Sequence, residues 1–143
     1  ETIKTLSDQV RKRLTLENDD RNYSPSDLLP VCYDLGIPMV YDVHHHRCFP
    51  DELSVEKATE QSLRTWDREP LFHISSPKDG WDSPNPRKHH DFIDINDLPR
   101  KWLPMNVTIE VEAKAKEIAI KKLINDLYII PEYAGHHKQK GKS

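Results

Sequence analysis

The chain has 143 residues, a formal net charge of −3 and a mean hydropathy of −0.79, with 31% charged and 36% hydrophobic residues. That describes one ordinary globular domain. It excludes a generic nucleic-acid-coating protein, which would be basic, unless several acids are metal ligands, and it leaves no apolar run of membrane-spanning length. Cys32 and Cys48 fit neither a zinc spacing nor a disulfide framework, and no signal peptide opens the chain. A reduced intracellular setting is therefore expected, cytoplasmic in a bacterium.

In chain order, "ETIKTLSDQVRKRLTLEN" predicts an opening helix with Ile3, Leu6 and Val10 on one face and Arg11, Lys12 and Arg13 near its end. A helix with no strand before it suggests a piece of a longer protein. The first strand, "LTLE", ends at Glu17. The pattern "SDLLPVCYDLG" predicts a helix capped by Ser26 and stopped by Gly36, with Pro30 in its first turn. The second strand, "PMVYD", ends at Asp42 and runs into a His-rich loop, His44 to His46. A helix starting at Ser54 turns Val55, Ala58 and Leu63 inward. The third strand, "LFHIS", carries His73, and a loop with His89 and His90 and a short helical piece, "INDLPRKWL", follow. The fourth strand, "VTIEVE", ends at Glu112, and "EAKAKEIAIKKLINDLYI" predicts a long amphipathic helix. Residues 1–132 read as the folded part and residues 133–143 as a basic, mobile tail.

Strands alternating with helices indicate an α/β protein with a parallel sheet. Leu14 and Leu16, Met39 and Tyr41, Phe72 and Ile74, and Val107, Ile109 and Val111 share one face of it. Glu17, Asp42, His73 and Glu112 share the other. These four are spaced by 25, 31 and 39 residues, close to the repeat of about 31 of a (β/α)₈ barrel, whose chemistry sits at the strand C-termini. Four strands make half a barrel. A doubly wound sheet is disfavoured because no Gly-rich phosphate loop follows a strand.

Singly, each ligand candidate has an ordinary reading. Asp42 suits a turn, His73 a core histidine, Glu17 an acidic turn and Glu112 a helix cap. Together, in phase at strand ends, they read as an N/O donor set suited to Mn²⁺, Zn²⁺ or Fe²⁺. The nearby Arg47, Lys78, Arg87 and Lys88 become candidate phosphate contacts. Trp81 suits equally a stacking platform and a loop anchor.

The stretches "RLTLENDD", "GIPMVYDVHHH", "FHISSP", "HHDFID" and "VEAKAKE" together resemble the UV-damage endonucleases, relatives of endonuclease IV among the metal-dependent TIM barrels. The resemblance implies that the chain supplies about the last four βα units of the barrel. It implies metal ligation by Glu17, Asp42, His45, His73, His89 and Glu112, with Glu17, Asp42 and Glu112 as catalytic carboxylates acting mainly as ligands. Chemistry alone does not choose His45 over His44. Divalent ions, Mn²⁺ first and Zn²⁺ or Mg²⁺ as alternatives, are the implied cofactors. The implied activity is incision of the backbone immediately 5′ of UV photoproducts in double-stranded DNA. The implied partner is the missing N-terminal half or a second copy of the chain. One departure concerns Leu71, which stands where the family usually has a lysine that can be carboxylated. Two alternatives remain: a metal-dependent sugar isomerase of a related barrel, and a non-catalytic half-barrel fragment.

Overall fold

The computed structural model describes residues 2–131, so the expected tail at 133–143 lies outside the described residues. Four parallel strands form one sheet: β1 (Leu16–Glu17), β2 (Met39–Asp42), β3 (Leu71–Ile74) and β4 (Thr108–Val111), in the order β1-β2-β3-β4. Helix α1 (Asp8–Arg11) precedes the sheet, α2 (Pro25–Leu35) joins β1 to β2, α3 (Val43–Cys48) and α4 (Val55–Leu63) join β2 to β3, and α5 (Glu117–Ile129) follows β4. The register sets Asp42 beside His73, and His73 beside Glu110. All four expected strands are present, although β1 is only two residues long.

The apolar faces of the strands meet the helices. Met39, Tyr41, Phe72 and Ile74 are fully buried and join Leu29 and Cys32 of α2, Ala58 of α4 and Leu123 of α5 in one cluster. Its largest member is Trp102, with its ring 4.9 Å from Phe72 and edge-on to Tyr41 at 6.0 Å. The indole N–H donates to Thr59 Oγ1 at 2.9 Å, so the polar edge of this buried ring is satisfied. Tight packing of this kind fixes the strands against the helices, and so fixes what the opposite face presents.

Several expected boundaries move. The opening helix breaks into a 3₁₀ turn (Thr2–Thr5) and the four residues of α1, and Val10 is exposed rather than packed. Ser7, between them, has an extended backbone that interrupts the helical pattern. Ser24, not Ser26, caps α2: its hydroxyl accepts from the Asp27 N–H while the Asp27 carboxylate accepts from the Ser24 N–H at 2.9 Å. Pro25 takes the first helical position, which pushes Pro30 into the helix interior. Ser26 instead donates from its N–H and its hydroxyl to Asp51, each at 2.8 Å. The "EAKAK" stretch is not helical, because Lys116 sits at φ 51° and α5 starts only at Glu117. The piece "INDLPRKWL" is two 3₁₀ turns, Ile95–Asp97 and Arg100–Trp102, with Pro99 between them. Among the described residues no helix is long and apolar enough to cross a membrane.

Candidate metal centre

The expected His-rich loop is a helix. Asp42 ends β2 and caps α3, its Oδ1 accepting the His45 N–H at 2.8 Å. Consecutive helical residues project about 100° apart, so the three histidines have three different surroundings. His45 faces the strand ends. Its Nδ1 lies 2.9 Å from the Asn18 carbonyl, which can only accept, so Nδ1 carries the proton and Nε2 is left for a ligand role. His44 is fully buried, with Nδ1 3.2 Å from the Ser75 carbonyl. Burial, with His89 as a like-charge neighbour, pushes it down to about 4, so it is neutral. His46 turns back into the protein: Nε2 donates to Asp51 Oδ1 at 2.9 Å and Nδ1 is hydrogen-bonded with the buried Tyr41 hydroxyl at 2.7 Å.

Two groups form at the strand ends. In one, ligand atoms of Glu17, Asp42 and His73 lie within 4.8 Å of one another; in the other, those of His45, His89 and Glu112 do. All six expected ligands fall into these two groups, which meet through His73: its Nδ1 is 3.0 Å from Glu17 Oε1 and 3.5 Å from Glu112 Oε1. Burial opposes charge on His73, but the hydrogen bond its Nδ1–H donates to Glu17 and the fields of Glu17, Glu112 and Asp42 outweigh it and raise the imidazole to about 9. Burial raises the Asp42 carboxyl, with His45 opposing.

The donor set fits a divalent cation. Asp42 Oδ2 is buried without a hydrogen-bond partner, a costly arrangement for a carboxylate oxygen unless something positive is held there. Carboxylates and imidazoles suit Mn²⁺ or Zn²⁺. Neither Cys32 nor Cys48 belongs to these two groups, and burial pushes both thiols up to about 11. Leu71 offers no donor, and its register partner is Thr108.

His89 reaches the centre because its loop closes on itself. Pro77 and His89 form an antiparallel bridge, flanked by Lys78 N–H to the Lys88 carbonyl at 2.6 Å and His90 N–H to the Ser76 carbonyl at 2.8 Å. Lys78 and Lys88 thereby stand side by side and exposed. Arg87 leans on Asp20, donating from Nε to its carbonyl at 3.0 Å. Arg47 is not an open cation: it donates to the Asp97 carbonyl at 2.7 Å and lies 5.8 Å over the Trp81 ring. Trp81 donates to Asp97 Oδ1 at 2.8 Å and packs 5.1 Å from His44, so it anchors its loop behind the centre.

Sequence reasoning missed Asn18. It is fully buried, its amide N–H donates to the Asp42 carbonyl and its Oδ1 accepts the Asp42 N–H, both at 2.9 Å. Its position directly after Glu17, in a stretch otherwise acidic, was the available signal.

Residues 1–139 match the model of the family described as UV-endonuclease UvdE. The UV DNA damage endonuclease of Bacillus velezensis is 36% identical over 138 residues, covering 90% of this chain and 42% of that protein. That of Deinococcus radiodurans is 40% identical over 126 residues, covering 85% of this chain and 40% of that protein. The crystal structure of SacUVDE superposes with a TM-score of 0.73 at 28% identity, covering 89% of this chain and 43% of that one. The chain thus spans less than half the length of these relatives, consistent with a C-terminal half. With a family match running along almost its whole length, the chain belongs to the UV-endonuclease UvdE family.

Proposed function

We propose that the chain is the C-terminal half of a metal-dependent (β/α)₈-barrel endonuclease that incises double-stranded DNA immediately 5′ of UV photoproducts. The observation that carries this reading is the pair of three-residue donor groups meeting at His73 on adjacent strand ends, in a chain of this family. Glu17, Asp42 and His73 hold one divalent ion, and His45, His89 and Glu112 hold another, Mn²⁺ first among the candidates. When bound, such ions supply the Lewis acidity and water activation that phosphodiester hydrolysis needs.

The protein's own part is to hold these donors in place and to bring the backbone to them. Asn18 fixes the backbone of Asp42, and the closed loop at 76–90 returns His89 to the sheet. Lys78, Arg87 and Lys88 line the approach as phosphate contacts, acting inside the cell where the substrate is. Arg47 serves that surface indirectly, by holding Asp97 and Trp81. Lesion choice follows from the lower cost of unstacking damaged bases. The family match disfavours the sugar isomerase.

A nicking assay on UV-irradiated and unirradiated plasmid, with and without added Mn²⁺, tests the proposal on the chain paired with its N-terminal half. Metal-dependent nicking of irradiated plasmid alone is expected. Equal nicking of both plasmids, or nicking unaffected by chelator, contradicts it.

A further inference from the structure

His73 meets a carboxylate at each end of its ring. Nδ1 faces Glu17 and Glu112, so it is the nitrogen turned toward the two donor groups. Nε2 points the other way, is buried and lacks an aligned hydrogen-bond partner. Glu110 Oε2 lies 3.3 Å away. Glu110 is the register partner of His73 across β3 and β4. It stands two residues before Glu112 and so shares its face of the strand. Its side chain is 59% exposed. A charged residue on the inner face of a strand, opposite a buried imidazole nitrogen, has a chemical use. A histidine that ligates a metal through one nitrogen donates the other N–H to an acceptor, usually a carboxylate, and this fixes both tautomer and ring orientation.

We infer that Glu110 is the positioning carboxylate of His73, accepting its Nε2–H and so presenting Nδ1 to the ion shared with Glu17 and Asp42. This rests on the metal-centre reading above. Glu110 is not one of the ligands; it acts through His73.

The test is titration of the metal-free protein with Mn²⁺ or Zn²⁺ alone. Glu110→Ala is expected to weaken one of the two bound ions by roughly 10- to 100-fold, the range for loss of an outer-shell partner, without removing it. Glu110→Gln, whose carbonyl still accepts the N–H, is expected to restore affinity to within about threefold of the parent. In the Zn²⁺-loaded protein the His73 Nε2–H resonance should be protected in the parent and in Glu110→Gln, and lost to exchange in Glu110→Ala. Thermal melting of the metal-free variants controls for folding. Parent-like affinity in Glu110→Ala overturns the inference, and so does a Glu110→Gln variant as weak as Glu110→Ala, which would point to bare charge. His73→Ala separates the two readings. If it loses an ion while Glu110→Ala is unchanged, only the inference fails; if it too binds like the parent, the metal-centre reading fails.

Discussion

Asp42 and His45 are joined by a hydrogen bond from the His45 backbone N–H to the Asp42 carboxylate that divides the work of that one group. Oδ1 accepts the His45 N–H at 2.8 Å and starts α3, while Oδ2 stays buried and without a hydrogen-bond partner beside Glu17 and His73. One oxygen therefore shapes the backbone and the other is left for a ligand. Asp42→Ala is expected to remove one equivalent of metal and to loosen α3. Glu112→Ala should remove an equivalent from the other group and leave α3 intact. Elemental analysis and far-UV circular dichroism check both; unchanged metal content in both variants contradicts the assignment.

Asp51 should govern part of the acid stability. Burial would raise its carboxyl, but the Ser26 N–H and hydroxyl, the Leu53 N–H and His46 outweigh that and lower it below its ordinary value of 3.8. A depressed carboxyl stabilises the fold above its unfolded pKa, and this contribution is lost as pH falls through the folded value. Stability should thus drop below about pH 4, and Asp51→Asn should flatten that acid limb while lowering stability at neutral pH. Denaturant titrations at a series of pH values would reveal it.

The four basic residues should separate into two kinds. Neutralising Lys88 is expected to weaken binding to irradiated and unirradiated duplex alike, and to reduce the salt slope by roughly one unit. Arg47→Ala should instead lower thermal stability, since Arg47 secures Asp97 and packs on Trp81. A salt-slope change confined to Arg47 would reverse these roles.

Trp102 should be costly to replace. It is buried among Tyr41, Phe72 and Thr59, and truncation to Ala should destabilise the fold by about 3–5 kcal/mol. Equilibrium unfolding would measure it, and a loss under about 1 kcal/mol would mean that the site collapses around the gap.

The sheet has β1 and β4 as unpaired edges among the described residues. Open parallel edges invite pairing, and the exposed Thr15, Glu17, Thr108 and Glu110 lie on the face a barrel would enclose. The isolated chain is expected to self-associate or to be marginally stable, and to nick irradiated plasmid weakly at best. Sedimentation and a nicking assay on one sample would decide; a stable, fully active monomer would refute the half-barrel proposal.

The strands and four of the clustered donors, Glu17, Asp42, His73 and Glu112, were legible because a period of two and a common phase at strand ends survive in any reading of the residues, whereas His45 and His89 were singled out only by the family resemblance. Where packing or capping is decided by distant partners, the sequence was mute. Ser24 and Ser26 are equally good caps until Asp51 claims Ser26. The histidine run looked like a loop because its helix is set by Asp42 below it and by Tyr41 and Asp51 behind it. Nothing local marks Arg47 as different from Lys88. Only the fold brings Asp97, fifty residues away, to its side.

The helical phase of the histidine run has a consequence for insertions and deletions. Losing any one of His44, His45 and His46 gives the same sequence, with two histidines left. Counting from Asp42, those two still occupy the first two places, so the imidazole beside Asn18 survives. The third place would receive an arginine, against the Tyr41 hydroxyl and the Asp51 carboxylate, and Cys48 would move into the slot that holds Asp97. The damage of a one-codon deletion would therefore appear behind the helix, as a repacking defect, with the metal-facing imidazole still present. In this segment length is as much a part of the design as composition.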